Sequence, residues 1–185
     1  MNKKLRLLVT AQCPNKCPMC CNNSWDFSKL PVVDRWDYEQ IMLTGGEPLM
    51  MVEQLIPLMI SIRKITSAMG TNPKIYVYTA VCNSSKLDRV LTYADGIVLT
   101  PHNKKDISGF IEFNTKLNAC NRLRERKTFY FNEYEGKSLR LNLFPDIKEL
   151  LKDEDLSGWQ VKDIHWIKDC PVPEGEDFRR INEPW

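Results

Sequence analysis

The sequence predicts an α/β protein with a mainly parallel sheet, built as a partial, open (β/α)6-type barrel. Short apolar or β-branched runs alternate along the chain with segments whose apolar residues recur at helical spacing, and this alternation is typical of βα units. The 185 residues leave room for about six units of roughly 30 residues each, whereas a closed eight-unit barrel takes about 250. We therefore expect one domain over residues 1–185, with 168–185 as a C-terminal tail.

Seven runs are predicted as strands because they are short, apolar or β-branched, and separated by turn or helix signals. They are Leu5–Thr10, Ile41–Thr44, Lys74–Thr79, Gly96–Thr100, Thr128–Phe131, Ser138–Phe144 and Val161–Ile167. The runs at 128–131 and 138–144 are joined by a short polar segment that contains Gly136. This pair is therefore expected to form a local hairpin.

Four segments are predicted as helices from apolar residues at i, i+3, i+4 and i+7 spacing and from residues that can cap a helix. They are Leu55–Met69 with Pro57 as a kink or restart, a helix through Leu91 capped by Ser84 or Ser85, about Ile107–Arg126, and Ile147–Leu151 capped by Asp146. Each lies between two predicted strands, as βα units require.

Composition and charge exclude several classes of protein. With 43% hydrophobic and 27% charged residues, the chain is not expected to be disordered, collagen-like or a coiled coil. Its 26 Lys and Arg nearly balance 24 Asp and Glu, which gives no strong signal for nucleic acid or a membrane surface. The longest apolar stretches are too short for a signal peptide or a spanning helix, so we expect a soluble, cytoplasmic protein.

The seven cysteines are unusual, because a chain of this length should bury roughly 70% of its unfolded surface and needs no disulfides. Four of them lie just after the first predicted strand, in Cys13-Pro14-Asn15-Lys16-Cys17-Pro18-Met19-Cys20-Cys21. In a reducing compartment such a group indicates metal ligation. The C-x3-C-x2-C spacing of Cys13, Cys17 and Cys20 would let three thiolates surround an iron–sulfur cluster, leaving one iron of a four-iron cluster open.

Two alternatives for these thiols remain open. A closed zinc site would use four ligands, normally in two cysteine pairs, but Cys82, Cys120 and Cys170 are isolated in the sequence and form no second pair. These three cysteines are also too few to hold an auxiliary iron–sulfur cluster. Cys21 is also spaced C-x3-C from Cys17, so counting alone permits a ligand set that includes it. Its position beside Cys20 favours a role in packing.

A second motif, Gly45-Gly46-Glu47-Pro48, follows the second predicted strand. Paired glycines allow a sharp turn and a close approach to a ligand, and Glu47 adds a carboxylate at the strand's carboxyl end, where parallel sheets bind ligands. Alone, this motif is typical of a plain turn. Its place one strand after the cysteines favours a shared site.

Together, CPNKCPMC and LTGGEPL resemble the signature of the radical S-adenosylmethionine (radical SAM) superfamily, over about the first 50 residues. The resemblance implies a partial barrel in which Cys13, Cys17 and Cys20 hold a 4Fe-4S cluster. It also implies that the open iron chelates the amino and carboxylate groups of S-adenosylmethionine, whose amino group the Gly45-Gly46-Glu47 element meets. An external one-electron donor such as flavodoxin or ferredoxin would then drive cleavage to a 5′-deoxyadenosyl radical, which abstracts hydrogen from a substrate.

The chain departs from the family pattern at two places. The position before the third cysteine ligand, often aromatic in the family, is Met19, and the family's Thr-Asn-Gly turn after the third strand retains only its threonine, Thr79. By their position at strand ends, Thr79, Thr100 and His102 are candidate cofactor-binding residues. A lone loop histidine such as His102 is also commonly a surface or structurally satisfied residue. The sequence assigns no catalytic residue.

The expected substrate is a small molecule or a nucleotide-like compound. One alternative is a protein substrate, because Cys20-Cys21-Asn22-Asn23-Ser24-Trp25 resembles the segment after the cluster in the anaerobic ribonucleotide reductase activase, which places a glycyl radical on its partner. Another is a non-enzymatic zinc or redox module. Two weaker features remain. A basic run is expected to be a solvated helix end, with a phosphate contact as the alternative; its residues are Arg122, Arg124, Arg126 and Lys127. A group of aromatic residues is expected to pack within strands; these are Phe129, Tyr130, Phe131 and Tyr134.

Overall fold

A computed structural model describes residues 3–23, 25–125, 134–168 and 171–185. Within these residues the chain forms seven strands and four α-helices. In chain order they are β1 (Lys4–Thr10), β2 (Gln40–Gly45), α1 (Val52–Ala68), β3 (Lys74–Thr79), α2 (Ser84–Leu91), β4 (Gly96–Leu99), α3 (Lys104–Glu125), β5 (Ser138–Leu143), α4 (Pro145–Leu150), β6 (Gln160–Asp163) and β7 (Glu176–Arg180). Short 3₁₀ helices occupy Cys21–Asn23, Phe27–Lys29 and Pro48–Met51.

The contacts divide the chain into two compact units. The first comprises Met1–Tyr78 and Trp166–Trp185, and the second comprises Thr79–His165. The first unit is therefore discontinuous in sequence, and the second is inserted between its two parts.

The sheet of the first unit has the order β3-β2-β1-β7, and all its pairings are parallel. In β1, the side chains of Leu5, Leu7, Leu8 and Val9 are all fully buried. Burial of consecutive residues is typical of a parallel strand covered on both faces. Helix α1 buries one face through Val52, Leu55, Met59, Ile62 and Thr66, and it continues without a break through Pro57.

In the second unit the order is β6-β5-β4, again with parallel pairings. Helix α3 carries the largest fully buried side chains of this unit, Phe110 and Phe113. The Trp159 ring lies 5.5 Å from Phe110 and 5.9 Å from Phe113, and its Nε1 donates to Asn114 Oδ1 at 3.0 Å. These contacts join α3 to the loop that precedes β6.

The α/β class and the parallel strands that the sequence predicts are confirmed, and neither unit's sheet closes on itself. Four of the predicted strands, those beginning at residues 5, 41, 74 and 96, match β1 to β4 within one residue at each end. The strand predicted at 161–167 ends at Asp163 as β6. The α3 helix begins three residues before its predicted start.

Strand β5 does not form the antiparallel hairpin that the sequence predicts over 128–144. Both edges of β5 are occupied, because Ser138–Leu141 pair with β4 and Arg140–Leu143 pair with β6, in both cases in parallel. No edge of β5 is left for an antiparallel partner. The other half of the predicted hairpin, Thr128–Phe131, lies outside the described residues.

Two predicted helix caps are wrong. Helix α2 is capped by Asn83, whose Oδ1 accepts from Lys86 N at 3.0 Å, in place of Ser84 or Ser85. Helix α4 begins at Pro145, and Asp146 lies in its first turn. Proline is favoured at the first helical position because the N–H that it lacks would have no partner in the helix.

Strand β7 lies in the segment expected to be a C-terminal tail. Its sequence, Glu-Asp-Phe-Arg-Arg, has no apolar alternation, and all five residues are only partly buried. It nevertheless pairs with β1 over five residues, from Lys4 opposite Glu176 to Leu8 opposite Arg180. Among the described residues, no helix combines the length and the apolar character needed to cross a membrane.

The packing of α3 predicts an unusual effect of alanine at Gly109. Helix propensity alone favours alanine over glycine by about 1 kcal/mol, but a Cβ at Gly109 would overlap the carbonyl oxygen of Cys82. We expect Gly109→Ala to lower the free energy of unfolding by about 1–3 kcal/mol, measured by urea denaturation. The matched change at the exposed neighbour Ser108, Ser108→Ala, should alter it by less than about 0.5 kcal/mol. Equal stability of the two variants would contradict this packing.

Candidate functional site

The cysteine loop, residues 11–20, begins where β1 ends. Cys17 is buried, Cys13 and Cys20 are partly exposed, and none of the three is in a disulfide. Cys20 N donates to Cys17 O at 3.4 Å, and Asn23 N donates to Cys20 O at 2.9 Å. The Asn23 side chain also donates to Cys17 O at 3.1 Å. These bonds fold the chain back on itself directly after the third cysteine.

A second asparagine fixes the other side of this loop. Asn22 Nδ2 donates to Ala11 O at 2.8 Å, which joins the residue after Cys21 to the first residue of the loop. The sequence placed Asn22 and Asn23 only in a segment resembling an activase. Their observed contacts show that both side chains hold the loop's own backbone.

The glycine turn, Gly45-Gly46-Glu47, is hydrogen-bonded to the start of the cysteine loop. Gly46 N donates to Thr10 O and Glu47 N donates to Gln12 O, both at 2.7 Å. A Cβ at Gly45, which has φ +142°, would overlap Thr10 O, and a Cβ at Gly46 would overlap Gln12 O. Here the close approach that requires glycine is to the backbone of the cysteine loop.

The Glu47 side chain is 1% exposed. Its Oε1 accepts from Leu49 N at 3.0 Å, so the carboxylate caps the 3₁₀ helix Pro48–Met51. The cap fixes the side chain against the end of β2. The carboxylate therefore has a defined position next to the cysteine loop.

Charge couples the two motifs. Burial raises the pKa of the Cys13 thiol, and the negative charges of Glu47 and Cys20 raise it further, against a hydrogen bond from the Asn15 backbone that lowers it. Ionising these groups together is unfavourable unless a positive charge is present, because like charges close together disfavour each other's ionised form. Metal binding would supply that charge and release the thiol proton.

The cysteine loop carries donors of the type that hold an iron–sulfur cluster, but the structure does not draw its three thiols together. Cysteine thiolates are the ligands of such clusters, and this loop carries three free thiols, of which the first is electrostatically coupled to the third. Within the described ranges, no three His, Cys, Asp or Glu side chains are grouped closely enough to hold a metal ion. Met19, between the second and third of these cysteines, is 44% exposed.

The candidates Thr79, Thr100 and His102 lie in the second unit. Thr100 N donates to Thr79 O at 2.8 Å, and Thr79 Oγ1 accepts from Val81 N at 3.0 Å. Thr100 Oγ1 accepts from Asn142 Nδ2 at 3.2 Å. The two threonines are thus adjacent at the carboxyl ends of their strands. Sequence reasoning missed Asn142, whose polar side chain near the end of β5 was the available signal.

His102 lies beside Phe144, with ring centroids 5.7 Å apart and the rings at 60°. Its backbone N donates to Asp106 Oδ2 at 3.1 Å. Burial lowers the pKa of the imidazole, and the nearby Asp106 charge opposes that effect. The ring is therefore held mainly in its neutral form at neutral pH.

The remaining cysteines whose side chains the structure describes, Cys82 and Cys120, are both buried in the second unit. Cys82 Sγ donates to Ala80 O at 3.6 Å. Cys170 and the Cys21 side chain lie outside the described residues, as do Arg126, Lys127, Phe129, Tyr130, Phe131 and the Arg124 side chain.

Tyr134 is buried, with its ring 5.5 Å from that of Phe113 and its hydroxyl donating to Asp88 at 2.6 Å.

The sequence matches no protein-family model, and none of the curated proteins compared with it is significantly similar. We therefore infer function from the residues of this chain. In the first unit, the glycine turn is hydrogen-bonded to Thr10 and Gln12, directly before the three cysteines. In the second unit, Thr79 and Thr100 are hydrogen-bonded to each other, and His102 lies two residues after Thr100.

The lowered pKa of His102 predicts a pH dependence of stability. The unfolded chain takes up the imidazole proton near pH 6.5, whereas the folded chain takes it up only at lower pH. The contribution of the neutral His102 imidazole to the free energy of unfolding is therefore complete above about pH 6.5 and is lost as the pH falls through the pKa of the folded chain. We expect the free energy of unfolding to fall less between about pH 8 and about pH 5.5 in His102→Phe than in the parent protein.

Urea denaturation at several pH values would measure this difference. His165→Gln is the control for the removal of a histidine, because His165 is exposed. The same pH dependence in His102→Phe and the parent protein would show that the imidazole is not held neutral by folding.

Proposed function

We propose that this chain is a radical SAM enzyme. The observation that carries the proposal is the direct hydrogen bonding between the cysteine loop and the glycine turn, at Thr10 O with Gly46 N and at Gln12 O with Glu47 N. Two motifs that are about thirty residues apart in the sequence thereby form one local structure. A plain turn after β2 would not need to lie against a loop that carries three free thiols.

Cys13, Cys17 and Cys20 would hold a 4Fe-4S cluster as thiolates. With S-adenosylmethionine also bound, such a cluster would supply the one electron that breaks the sulfonium C–S bond, giving methionine and a 5′-deoxyadenosyl radical able to abstract hydrogen from a substrate. The protein's part is to bind, orient and exclude water. The buried position of Cys17 and the folded-back turn at Cys20 suit that part.

The glycine turn offers hydrogen-bond acceptors to a ligand. The N–H groups of Gly46 and Glu47 donate to carbonyl oxygens of residues 10 and 12, and the Glu47 carbonyl oxygen accepts from Met50 N. The further hydrogen-bonding capacity of the turn is therefore that of acceptors, its carbonyl oxygens and the Glu47 carboxylate, each of which can accept more than one hydrogen bond. Such groups suit a cation that donates hydrogen bonds. The ammonium group of S-adenosylmethionine has this chemistry, which supports the placement of the methionine moiety at Gly45-Gly46-Glu47.

The proposed architecture is a partial, open (β/α)6-type barrel. It is supported by the parallel pairing of the strands and by the α-helices that connect β2 through β6. Ligands of such folds bind at the carboxyl ends of the strands, which is where Thr79, Thr100 and His102 lie. We propose these three as contacts of the cofactor or of a small or nucleotide-like substrate, with flavodoxin or ferredoxin as the class of electron donor.

Cluster binding predicts a clear difference between cysteine variants. After anaerobic purification, the parent protein should contain about four iron and four sulfide per chain. Cys13→Ser, Cys17→Ser and Cys20→Ser should each lose most of this iron, because serine is a poor replacement for a thiolate ligand. Cys82→Ser is the matched control: Cys82 is a buried cysteine of the other unit, and this variant should retain the iron.

Electron paramagnetic resonance of the reduced protein provides the second measurement. Adding S-adenosylmethionine should change the cluster signal, and 5′-deoxyadenosine should form. Tetrahedral zinc without iron, with no cleavage of S-adenosylmethionine, would instead establish the zinc or redox module. A glycyl-radical signal on a co-expressed partner would identify an activase with a protein substrate.

A further inference from the structure

Thr10, the last residue of β1, joins three segments of the first unit. It is fully buried, and it lies three residues before Cys13. Its hydroxyl donates to the carbonyl oxygen of Trp185 and accepts from Gln12 N at 3.1 Å. Its own carbonyl oxygen accepts from Gly46 N at 2.7 Å. One side chain and its backbone therefore contact the C-terminal segment, the cysteine loop and the glycine turn.

The C-terminal segment, residues 176–185, runs along β1 up to this point. After the pairing of β7 with β1, Ile181 N donates to Leu8 O at 3.1 Å and Trp185 N donates to Val9 O at 3.0 Å. The Trp185 carbonyl then accepts from the Thr10 hydroxyl. The segment thus reaches the residue from which the cysteine loop departs.

The same segment also contacts the chain after the cysteine loop. The Phe178 ring of β7 lies 5.3 Å from the Trp25 ring and 6.5 Å from the Phe27 ring, measured between centroids. Aromatic pairs at this distance and inclination are favourable beyond their buried area. The C-terminal segment therefore holds both flanks of the cysteine loop, one at Thr10 and the other at Trp25.

We propose that Thr10 is a positioning residue for the cysteine loop and that the C-terminal segment acts on the thiols through it. The loop has no regular structure between residues 11 and 20, so its geometry depends on where its two ends are fixed. Removing the Thr10 hydroxyl leaves Gln12 N and the Trp185 carbonyl without this shared partner. The start of the loop is then free to move away from β1, and the Cys13 thiol moves with it.

A purely structural role for Thr10 would lower stability without changing the thiols, and Thr66 provides the matched comparison. Thr66 is also buried, at 1% exposed, and its hydroxyl donates to Ile62 O of its own helix at 2.9 Å. Thr10→Val and Thr66→Val are the same isosteric change and remove a buried hydroxyl in each case. Thr10→Ser restores the hydroxyl at the first site.

The experiment measures iodoacetamide alkylation of Cys13 and Cys20 in the metal-free full chain, by mass spectrometry, with buried Cys82 as the internal reference. We expect Thr10→Val to alkylate at Cys13 about tenfold faster than the parent, because loss of the hydroxyl's hydrogen bonds releases the start of the loop from β1. Thr66→Val and Thr10→Ser should remain near the parent rate. Phe178→Leu, at the other flank, should accelerate alkylation at Cys20.

The free energy of unfolding of each variant is measured in parallel. The proposal would be overturned if Thr10→Val and Thr66→Val, at similar free energies of unfolding, showed the same rate of Cys13 alkylation relative to Cys82. An acceleration that is equal at Cys13 and Cys82 would also overturn it, because it would report global unfolding.

The link to metal binding rests on the proposed function and is read separately. In the iron-loaded protein, Thr10→Val should lose iron to a chelator about tenfold faster than the parent, whereas Thr66→Val should not. If the parent protein takes up no iron, the proposed function fails, and the alkylation rates still decide the role of Thr10. If iron binds but its loss is unaffected by Thr10→Val, the effect on the loaded site is refuted.

Discussion

The first unit depends on the close approach between the end of β1 and the turn after β2. There the carbonyl oxygens of Thr10 and Gln12 accept the N–H groups of Gly46 and Glu47 at 2.7 Å. A Cβ at either glycine would overlap one of these oxygens, so side chains are excluded from the contact. Both the departure of the cysteine loop and the cap at Glu47 are fixed by this approach.

Much of β1 to β4 could be predicted because these strands are short runs rich in apolar residues. Leu5, Leu7, Leu8 and Val9 are recognisable from the sequence alone, since a strand covered on both faces requires no polar alternation. Strand β7 could not be predicted in this way. Its charged residues have partners that are distant in the sequence. Glu176 forms an ion pair with Arg6 at 2.7 Å, and Asp177 accepts a hydrogen bond from the Tyr38 hydroxyl at 2.5 Å. No local sequence pattern reveals such pairs.

The site shows the same division. The cysteines and the glycine turn could be found because spacing and residue type indicate their chemistry. The role of Thr10 could not, because a buried threonine at a strand end acquires meaning only from its contact with Trp185, 175 residues away. The hairpin predicted over 128–144 was wrong for a related reason: a polar segment with a glycine indicates a turn, but only the sheet order decides whether the next strand pairs antiparallel.

The discontinuity of the first unit has a consequence for how the protein folds. Arg6 and Glu176 are 170 residues apart, and the whole second unit lies between the two parts of the chain that they join. Closing so long a loop raises the contact order, and folding rates fall as contact order rises. The second unit consists of continuous chain and can form from nearer contacts. We therefore expect the contacts of β7 at both flanks of the cysteine loop to form late in folding, and the thiols to react more readily before β7 docks than after it.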